Sequence, residues 1–511
     1  MLRRLIPKIK QKTVPPPVNT VERMRNSSEQ HTASIQSPVP TRHDLEMLRP
    51  HIVRELQAIV GAEFVLTEEV DLIAYSIDGT WIEGRPLAVV SVASAEEVSA
   101  ILRLANRERV IVTPRGSASG LSGGSVPLAG GIALSMTRMN RILEIDRVNF
   151  VAVVEPGVIT ATLQAEVEKL GLFYPPDPSS LKISAIGGNV AENAGGARCL
   201  KYGVTSDYVM GLQVVLPTGE IIRTGGRMVK NVTGYNLRQL FTGAEGTLGV
   251  ITEVTLKLLP LPKYRLTALA TFERIDEAAS TVTAVMSSGI LPASVELMDQ
   301  TTVQCVEDLL HLGLPVDAEA LLLFAFDGNH EQVVRGELEA VTAICYGGRA
   351  KSVRIAYSDE ESERLWRARR SIAPALARRK PNKLGEDISV PRSAVPAMIR
   401  QVCAIALKYD LLIPVFGHAG DGNLHPNILC DRRDPEEMQR VRSAAAEIFA
   451  AAIDCGGTLS GEHGIGLLKK EFLEQDLGQD AVQAMKKIKL ALDPNNILNP
   501  GKIFPTGKSE F

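Results

Sequence analysis

Three glycine-rich runs fall between residues 114 and 254, each beside sequence that reads as strand: PRGSASGLSGG at 114–124, IGGNVAENAGGARCLKYG at 186–203 and GAEGTLGVITEV at 243–254. The first holds four glycines and three serines in eleven positions. Residues this small let consecutive backbone N–H groups turn toward one point, which makes a concave seat for a diphosphate. The spacing is not a Rossmann fingerprint, because GxGxxG is not met and the VPLAGGIALSM that follows reads as loop and strand rather than helix. A Walker-type seat fails too: GKIFPTGKS near the C-terminal end has one residue too many between its glycines. Any one run alone could be a flexible surface loop. Together they call for a large ligand that backbone approaches at several points, and a dinucleotide fits better than a single phosphate. YPPDPSS at 174–180 would shape a further wall.

A second constellation lies near the other end of the chain. HAGDGNLH (418–425) and SGEHGIG (460–466) bring His418, His425, Glu462 and His463 into a sequence with eight histidines in all. Two His and one Glu are the ligand set of a catalytic zinc site, which keeps a position open for water or substrate. His418 and His425 are seven residues apart and would point to opposite faces of a regular strand, so the backbone must bend between them. Gly420, Asp421 and Gly422 supply the bend. Glu462 and His463 are neighbours and diverge in extended chain, which suggests Glu462 as ligand and His463 as general base. An ordinary turn with ordinary loop histidines fits the same residues, and the residues alone leave both readings open.

At 511 residues the chain exceeds one core and divides into two or three domains. Its net charge of -3 gives no reason to expect a nucleic-acid partner. Six cysteines stand far apart with no CxxC pair, so neither a disulfide framework nor an iron-sulfur cluster is suggested and a reducing, cytoplasmic compartment is expected. No apolar run approaches the roughly 20 residues that cross a bilayer. MLRRLIPKIKQK carries five basic residues and no acidic one, ahead of Pro15, Pro16 and Pro17. Residues 1–44 are therefore expected to be a basic, disordered tail, with a targeting or membrane-surface role for Leu2, Leu5, Ile6 and Ile9 as the alternative.

From residue 45 the periods alternate between helix and strand. An amphipathic helix is expected near His51 to Val60, a strand at PLAVVSVAS from Pro86, a helix from Ala95 to Glu108 and a short strand at VIVTP. An α+β dinucleotide-binding domain over 45–262 ends at LPLPK, whose prolines mark a boundary. Residues 263–475 form a second domain with strands at TALATF, ASVELM and LLLFAF and helices at Asp276 to Ser287 and Glu331 to Ala343. A last helix from Ala481 to Leu492 and the NPGK after it, within 476–511, return to the first domain.

The motifs PRGSASGLSGG, PDPSS, GGNVAENAGG, CLKYG, EGTLGVITEV, HAGDGNLHP, SGEHGIG and DPNNILNPGK, in this order, resemble the FAD-linked oxidases of the vanillyl-alcohol oxidase type. The resemblance covers nearly the whole chain after the tail. Within that family the chain is most similar to the group that holds the FAD-binding subunit of bacterial glycolate oxidase, D-lactate dehydrogenases and D-2-hydroxyglutarate dehydrogenases. It implies an α+β fold: a two-subdomain, PCMH-type FAD-binding domain plus a cap domain of antiparallel sheet with helices on one face.

Carried over residue by residue, the resemblance implies that Arg115, Gly116, Ser117, Ser119, Gly120 and Leu121 line the FAD diphosphate, with Ser122 close by. Pro176, Asp177, Ser179, Gly187, Gly188, Asn193, Gly195 and Gly196 would contact flavin or diphosphate, and Glu245, Gly246 and Ile251 the adenosine side. Some relatives hold flavin covalently through a histidine in the first loop. Here Ala118 and Ser119 stand there, and no histidine occurs between His51 and His311, so the FAD is expected to be non-covalent. The family also implies a divalent metal, usually zinc, on His418, His425 and Glu462, with His463 as base, Arg369 of LWRARR clamping the substrate carboxylate and Asn427 contacting substrate. A solvated basic helix face, shared with Arg367, Arg370, Arg378 and Arg379, is the competing reading of Arg369. The lysine that grips a distal carboxylate in D-2-hydroxyglutarate dehydrogenases is replaced by Gly385 in GEDISVP, with Lys383 nearby, which argues for a smaller acid.

The implied reaction is FAD-dependent oxidation of a small 2-hydroxy acid, glycolate or D-lactate, to the 2-oxo acid, with the hydroxyl polarised by the metal and hydride passing to flavin N5. D-2-hydroxyglutarate oxidation is one alternative, and another flavin oxidase or ether-lipid synthase of the same fold a second. A non-redox zinc protein is a third. The chain has no cluster, haem or nicotinamide motif, so reduced flavin must pass its electrons to oxygen, a quinone or another protein, and the resemblance implies partner subunits, an iron-sulfur protein and a flavoprotein, as that acceptor. Peripheral attachment to the inner membrane would come from those partners. Nothing in the sequence excludes a homodimer.

Overall fold

Alternating apolar segments and helical stripes build four sheets over residues 42–505, the part of the chain that the structure, a computed structural model, describes. The expected tail lies outside the described residues up to position 41. Strands β1 (Val65–Leu66), β2 (Ala88–Ser91), β3 (Val112–Arg115) and β4 (Ile132–Ser135) make a sheet in the order β1-β2-β4-β3, with β2, β4 and β3 parallel. The parallel step from β2 to β3 needs a crossover, and helix Ala95–Glu108 provides it, opened by Ser94, whose Oγ accepts the Glu97 N–H. Its buried stripe of Val98, Ile101, Leu102 and Ala105 shares a core with Ile52 and Leu56 of helix Arg42–Val60. That helix starts ahead of the His51 start that the apolar period indicates, because Pro50 lies inside it and interrupts the pattern. The chain returns here near its end: Val112 donates to the Ile497 carbonyl and accepts from Asn499 N–H.

Strands β5 (Ile142–Asp146), β6 (Val151–Val154), β7 (Leu172–Phe173), β8 (Val209–Val215), β9 (Ile221–Gly225), β10 (Val250–Lys257) and β11 (Leu259–Pro260) follow. β7 pairs with β11, and the other five form an antiparallel sheet in the order β5-β6-β10-β8-β9. Leu261 to Lys263 then lead into the largest sheet. Its strands are β12 (Tyr264–Phe272), β13 (Ser294–Asp299), β14 (Ala320–Gly328), β15 (Ser352–Ala356), β16 (Asn382–Gly385), β17 (Ile388–Ser389), β18 (Val415–His418) and β19 (Asn423–Cys430), all antiparallel. The order is β15-β12-β14-β13-β18-β19-β16, with β17 also on β19.

Period-two alternation sends Ala268, Ala270, Val295, Leu297, Leu322, Phe324, Leu424 and Ile428 to one face, where the four longest helices of this part pack: Ile275–Ser287, Glu331–Gly347, Val395–Tyr409 and Pro435–Asp454. The resemblance implies helices on one face, and these are the ones it describes. The shorter helices Gln300–Leu310, Asp359–Arg370 and Ile372–Ala377 cover part of the opposite face through Leu269, Met298, Leu321, Leu323 and Phe416. That opposite face also carries the polar groups described next. Among the described residues no helix is long and apolar enough to cross a membrane.

Candidate active site

The bend between the two histidines of HAGDGNLH is the β18–β19 hairpin. His418 ends β18 opposite Asn423, and His425 lies on β19 opposite Phe416, so both rings leave the same sheet face one diagonal apart. Gly422 holds a φ of +91° in the turn, a conformation that suits glycine. The chain reverses again near Glu462 because the buried Asp387 Oδ2 accepts the Glu462 and His463 N–H groups at 3.0 and 2.8 Å and the Ser460 hydroxyl at 2.7 Å. Glu462 Oε1 then lies 3.2 Å from His418 Nε2 and 3.3 Å from His425 Nε2. One ligand atom from each of the three residues falls within 4.8 Å of the others.

Each histidine has a second carboxylate behind it. His418 Nδ1 is 2.7 Å from Glu296 Oε1, and His425 Nδ1 is 3.6 Å from Asp387 Oδ1. A proton on His418 Nδ1, held by Glu296, leaves its Nε2 lone pair facing Glu462, which is how metal-ligating histidines are commonly oriented, whereas the His425 Nδ1 contact is longer than a hydrogen bond. Burial alone would discharge His418, but Glu296 and Glu462 raise its pKa well above the ordinary value. Glu462 is held well below the usual carboxylate range against its own burial, by His418 and His425. The donor set and its negative surroundings fit a divalent cation. His463 stacks on His425 at 5.2 Å between ring centroids, and burial pushes its imidazole down to about 4 against the pull of Asp387. It is thus neutral near pH 7, as a base must be.

Arg369 is buried, with 6% of its surface exposed, which excludes the solvated helix face. Its Nε donates to Glu296 Oε2 at 2.7 Å, and its guanidinium lies 4.9 Å from the Phe416 ring centroid. Glu296 thereby joins Arg369 to His418, and its charge is maintained, despite full burial, by those two partners. Asn427 is also buried and donates from Nδ2 to the His425 carbonyl.

A cavity of about 450 Å³ ends at these groups; Arg369, His425, Asn427, Glu462 and His463 all line it, while His418 stands behind them. Its other walls include Arg115, Gly116, Ser117, Ser119, Gly120, Leu121, Ser179, Gly187, Gly188, Gly195, Glu245, Gly246 and Ile251. The N–H groups of Gly116 to Leu121 donate to no described residue. A row of free donors on a loop without bulky side chains fits the FAD diphosphate. Ser122, Pro176, Asp177, Asn193 and Gly196 are not part of the wall. Ser122 Oγ donates to Glu192, the Pro176 carbonyl accepts from Gln164, Asp177 accepts from Arg198 N–H, and Asn193 Oδ1 accepts from Ser206 N–H. Gly196 packs where a Cβ would meet the Asp177 carbonyl at 2.5 Å. Glu245 reaches the wall, but its carboxylate is engaged by the Ile465 and Gly466 N–H groups at 2.7 and 2.8 Å, so it also fixes the loop after His463.

Sequence reasoning missed Glu296, Asp387, and Glu192 and Trp81, which also line the cavity. Glu296 had a signal, a lone acid inside the apolar strand ASVELM. The other three had none that separates them from ordinary polar or aromatic positions.

Residues 86–225 match the family described as FAD binding domain, and residues 261–503 the one described as FAD linked oxidases, C-terminal domain. Glycolate oxidase subunit GlcD of Bacillus subtilis (strain 168) is 49% identical over 459 residues, which is 90% of this chain and 97% of that protein. The chain belongs to the FAD-linked oxidases. It is an FAD-dependent oxidoreductase. D-lactate dehydrogenase of Anaerostipes hadrus is 36% identical over 89% of this FAD-linked oxidase and 97% of its own length. The crystal structure of p-cresol methylhydroxylase with substrate bound superimposes with a TM-score of 0.75 over 90% of this chain and 97% of that one, at 20% identity, a likeness of fold.

Proposed function

We propose that this FAD-linked oxidase oxidises a small 2-hydroxy acid, glycolate or D-lactate, to the 2-oxo acid. The observation that carries this reading is the meeting of Arg369, Asn427, His425, Glu462 and His463 at one end of a cavity whose other walls include the three glycine-rich segments. Arg369 spends its Nε on Glu296 and keeps its Nη groups for a carboxylate, a charge-assisted geometry that orients the α-carbon. His463, neutral and half-buried beside that position, takes the hydroxyl proton. His418, His425 and Glu462 would hold a divalent metal, zinc by donor type, which supplies polarisation of the hydroxyl when bound. The segments at 116–121, 187–195 and 245–251 would hold FAD without a covalent link, and bound FAD would supply the hydride acceptor for the α-carbon.

Other chemistry on the same fold, such as aryl-alcohol oxidation or ether-lipid synthesis, is disfavoured by the paired histidines with their carboxylates. The names of relatives that are subunits of glycolate oxidase support partner subunits here; an iron-sulfur protein and a flavoprotein are the electron acceptors that the family resemblance implies, with a quinone as the other route. Such partners would place a cytoplasmic protein at the inner membrane. The test is the visible spectrum of purified protein, recorded anaerobically before and after glycolate, D-lactate, L-lactate and D-2-hydroxyglutarate. Bleaching of the flavin band by glycolate or D-lactate is expected. A flavin band that none of the four acids bleaches would overturn the reading.

A further inference from the structure

A run of apolar side chains left almost wholly in water marks a surface that another molecule covers. Val229, Val232 and Tyr235 are 93, 97 and 95% exposed, and Met228 beside them is more than half exposed. All four stand on the loop between β9 and the helix Leu237–Phe241, where residues 227–236 are exposed without a break. The loop is held in shape along its length. Arg227 at its start pairs with Glu144 at 2.8 Å and reaches within 3.9 Å of Asp146, both on β5. Asn231 Oδ1 accepts the Thr233 N–H at 3.0 Å, and Asn236 caps the helix that follows.

The charge of this loop has one sign. Residues 226–236 hold Arg227 and Lys230 and no acid. Arg227 is engaged by Glu144, whereas Lys230 has no carboxylate partner among the described residues. Arg147 has none either; it sits in the β5–β6 turn, next to the exposed Val148, whose N–H donates to Asp146 at 2.9 Å. The protrusion therefore presents bare apolar tips with uncompensated cations.

A surface of the opposite sign lies beside the first sheet. Residues 62–78 hold five acids and no base. The helix Glu69–Ala74 is seated by Leu72, which is buried against Val89 of β2 and Ala133 of β4, so that Val70 and Ile73 face solvent with Ile77 just beyond them. Glu69 pairs with Arg85, but Glu63, Glu68 and Asp71 have no cationic partner among the described residues. Both patches are exposed, so one molecule does not satisfy them against each other.

We propose that the 227–236 loop of one molecule docks on the Glu69–Ala74 face of a second copy of the same chain. The apolar tips supply the buried area. Lys230 and Arg147 meet the carboxylates of Glu63, Glu68 and Asp71, which sets orientation and partner choice more than strength. The contact joins two different patches, so two copies close as a pair that holds it twice or several join head to tail, with the same junction in either case. A lipid surface would cover the loop and leave the acidic apolar face bare, whereas a second copy covers both.

The experiment is sedimentation velocity of the FAD-loaded full chain up to about 100 µM, a concentration that reaches the weak end of specific interfaces. It compares the parent, Lys230→Glu and Glu68→Lys, each alone, with a one-to-one mixture of the two variants. The parent is expected to self-associate. Each variant alone sets like charges across the junction and is expected to associate about tenfold more weakly. The mixture is expected to recover the parent's association, because the reversed loop of one variant faces the reversed helix of the other while the two unaltered patches face each other. Both positions are exposed, so flavin content and thermal unfolding should match the parent. A parent that stays monomeric at the highest concentration would overturn the proposal, and so would variants that associate as tightly as the parent. A mixture that associates no better than its parts would do the same. Flotation with vesicles of phosphatidylglycerol and phosphatidylcholine decides the other occupant: a monomeric parent that floats, with Lys230→Glu left behind, assigns the loop to lipid and ends the proposal.

Discussion

Glu296→Gln is the most informative single change at this site, because the substitution keeps shape and removes charge. Glu296 is fully buried and accepts from His418 Nδ1 at 2.7 Å, from Arg369 Nε at 2.7 Å and from Ser294 Oγ at 3.0 Å. Glutamine leaves the Arg369 guanidinium buried without its counter-charge, and breaking a buried pair from one side costs about 3–5 kcal/mol. It also removes the acceptor that fixes a proton on His418 Nδ1. Losing such an orienting partner weakens metal binding by roughly 10–100-fold. Glu296 does not line the cavity, so FAD affinity should stay at the parent value. The assay is zinc affinity by chelator competition, alongside thermal unfolding and FAD titration. A companion protein with Glu296→Met and Arg369→Met should recover stability, since no charge is left stranded, yet stay weak in zinc. If Glu296→Gln loses stability while holding zinc as tightly as the parent, Glu296 serves Arg369 alone, and the claim that it orients a metal ligand is refuted.

His425→Ala should abolish bound metal and turnover while the flavin spectrum persists; full activity in protein shown to contain no metal would remove the Lewis-acid role. Arg369→Lys should raise KM and lower kcat together, because one ammonium cannot satisfy Glu296 Oε2 and a substrate carboxylate at once, and unchanged steady-state constants would count against the clamp. Gly464→Ala places a Cβ 2.4 Å from Glu192 Oε2 and 3.0 Å from Glu245 Oε1 at a φ of +91°, so a stability loss of about 1–3 kcal/mol with a marked fall in kcat is expected, read by thermal unfolding and single-turnover flavin reduction. A variant that melts and turns over like the parent would show that the loop carrying His463 has slack there.

The parts of the fold that act through local chemistry were legible in the sequence. Helix Ala95–Glu108 was bounded correctly because its cap, its apolar stripe and its polar face all lie within one window. The glycine-rich loops were legible for a related reason: backbone that must approach a ligand excludes side chains, and that exclusion is written residue by residue. The expected bend at Gly420 to Gly422 became a hairpin turn, again a local matter. What stayed hidden depends on pairing at long range. Glu296 and His418 are 122 residues apart and meet because β13 lies against β18, a neighbourhood that no window on the chain contains.

Asp387 shows the same limit from another side. Its oxygens hold the Glu462 and His463 N–H groups from 75 and 76 residues away, and nothing in GEDISVP distinguishes an acid that anchors a distant loop from one that faces water. Lys383 is intermediate. Its place on the Gly385 face follows from period two once residues 382–385 are known to be strand.

Register ties these observations together. On β13, Val295 and Leu297 enter the core under the four long helices while Ser294, Glu296 and Met298 face the other way, and on β18 and β19 the same alternation presents His418, His425 and Asn427. A slip of one residue would bury Glu296 among leucines and turn Val295 or Leu297 toward Arg369. The apolar residues that fill the core on one face therefore fix which polar residues meet on the other. The geometry of the two histidines is inherited from hydrophobic packing, and core substitutions at Val295 or Leu297 that loosen β13 should disturb the proposed metal site before they disturb the glycine-rich segments, which belong to other sheets.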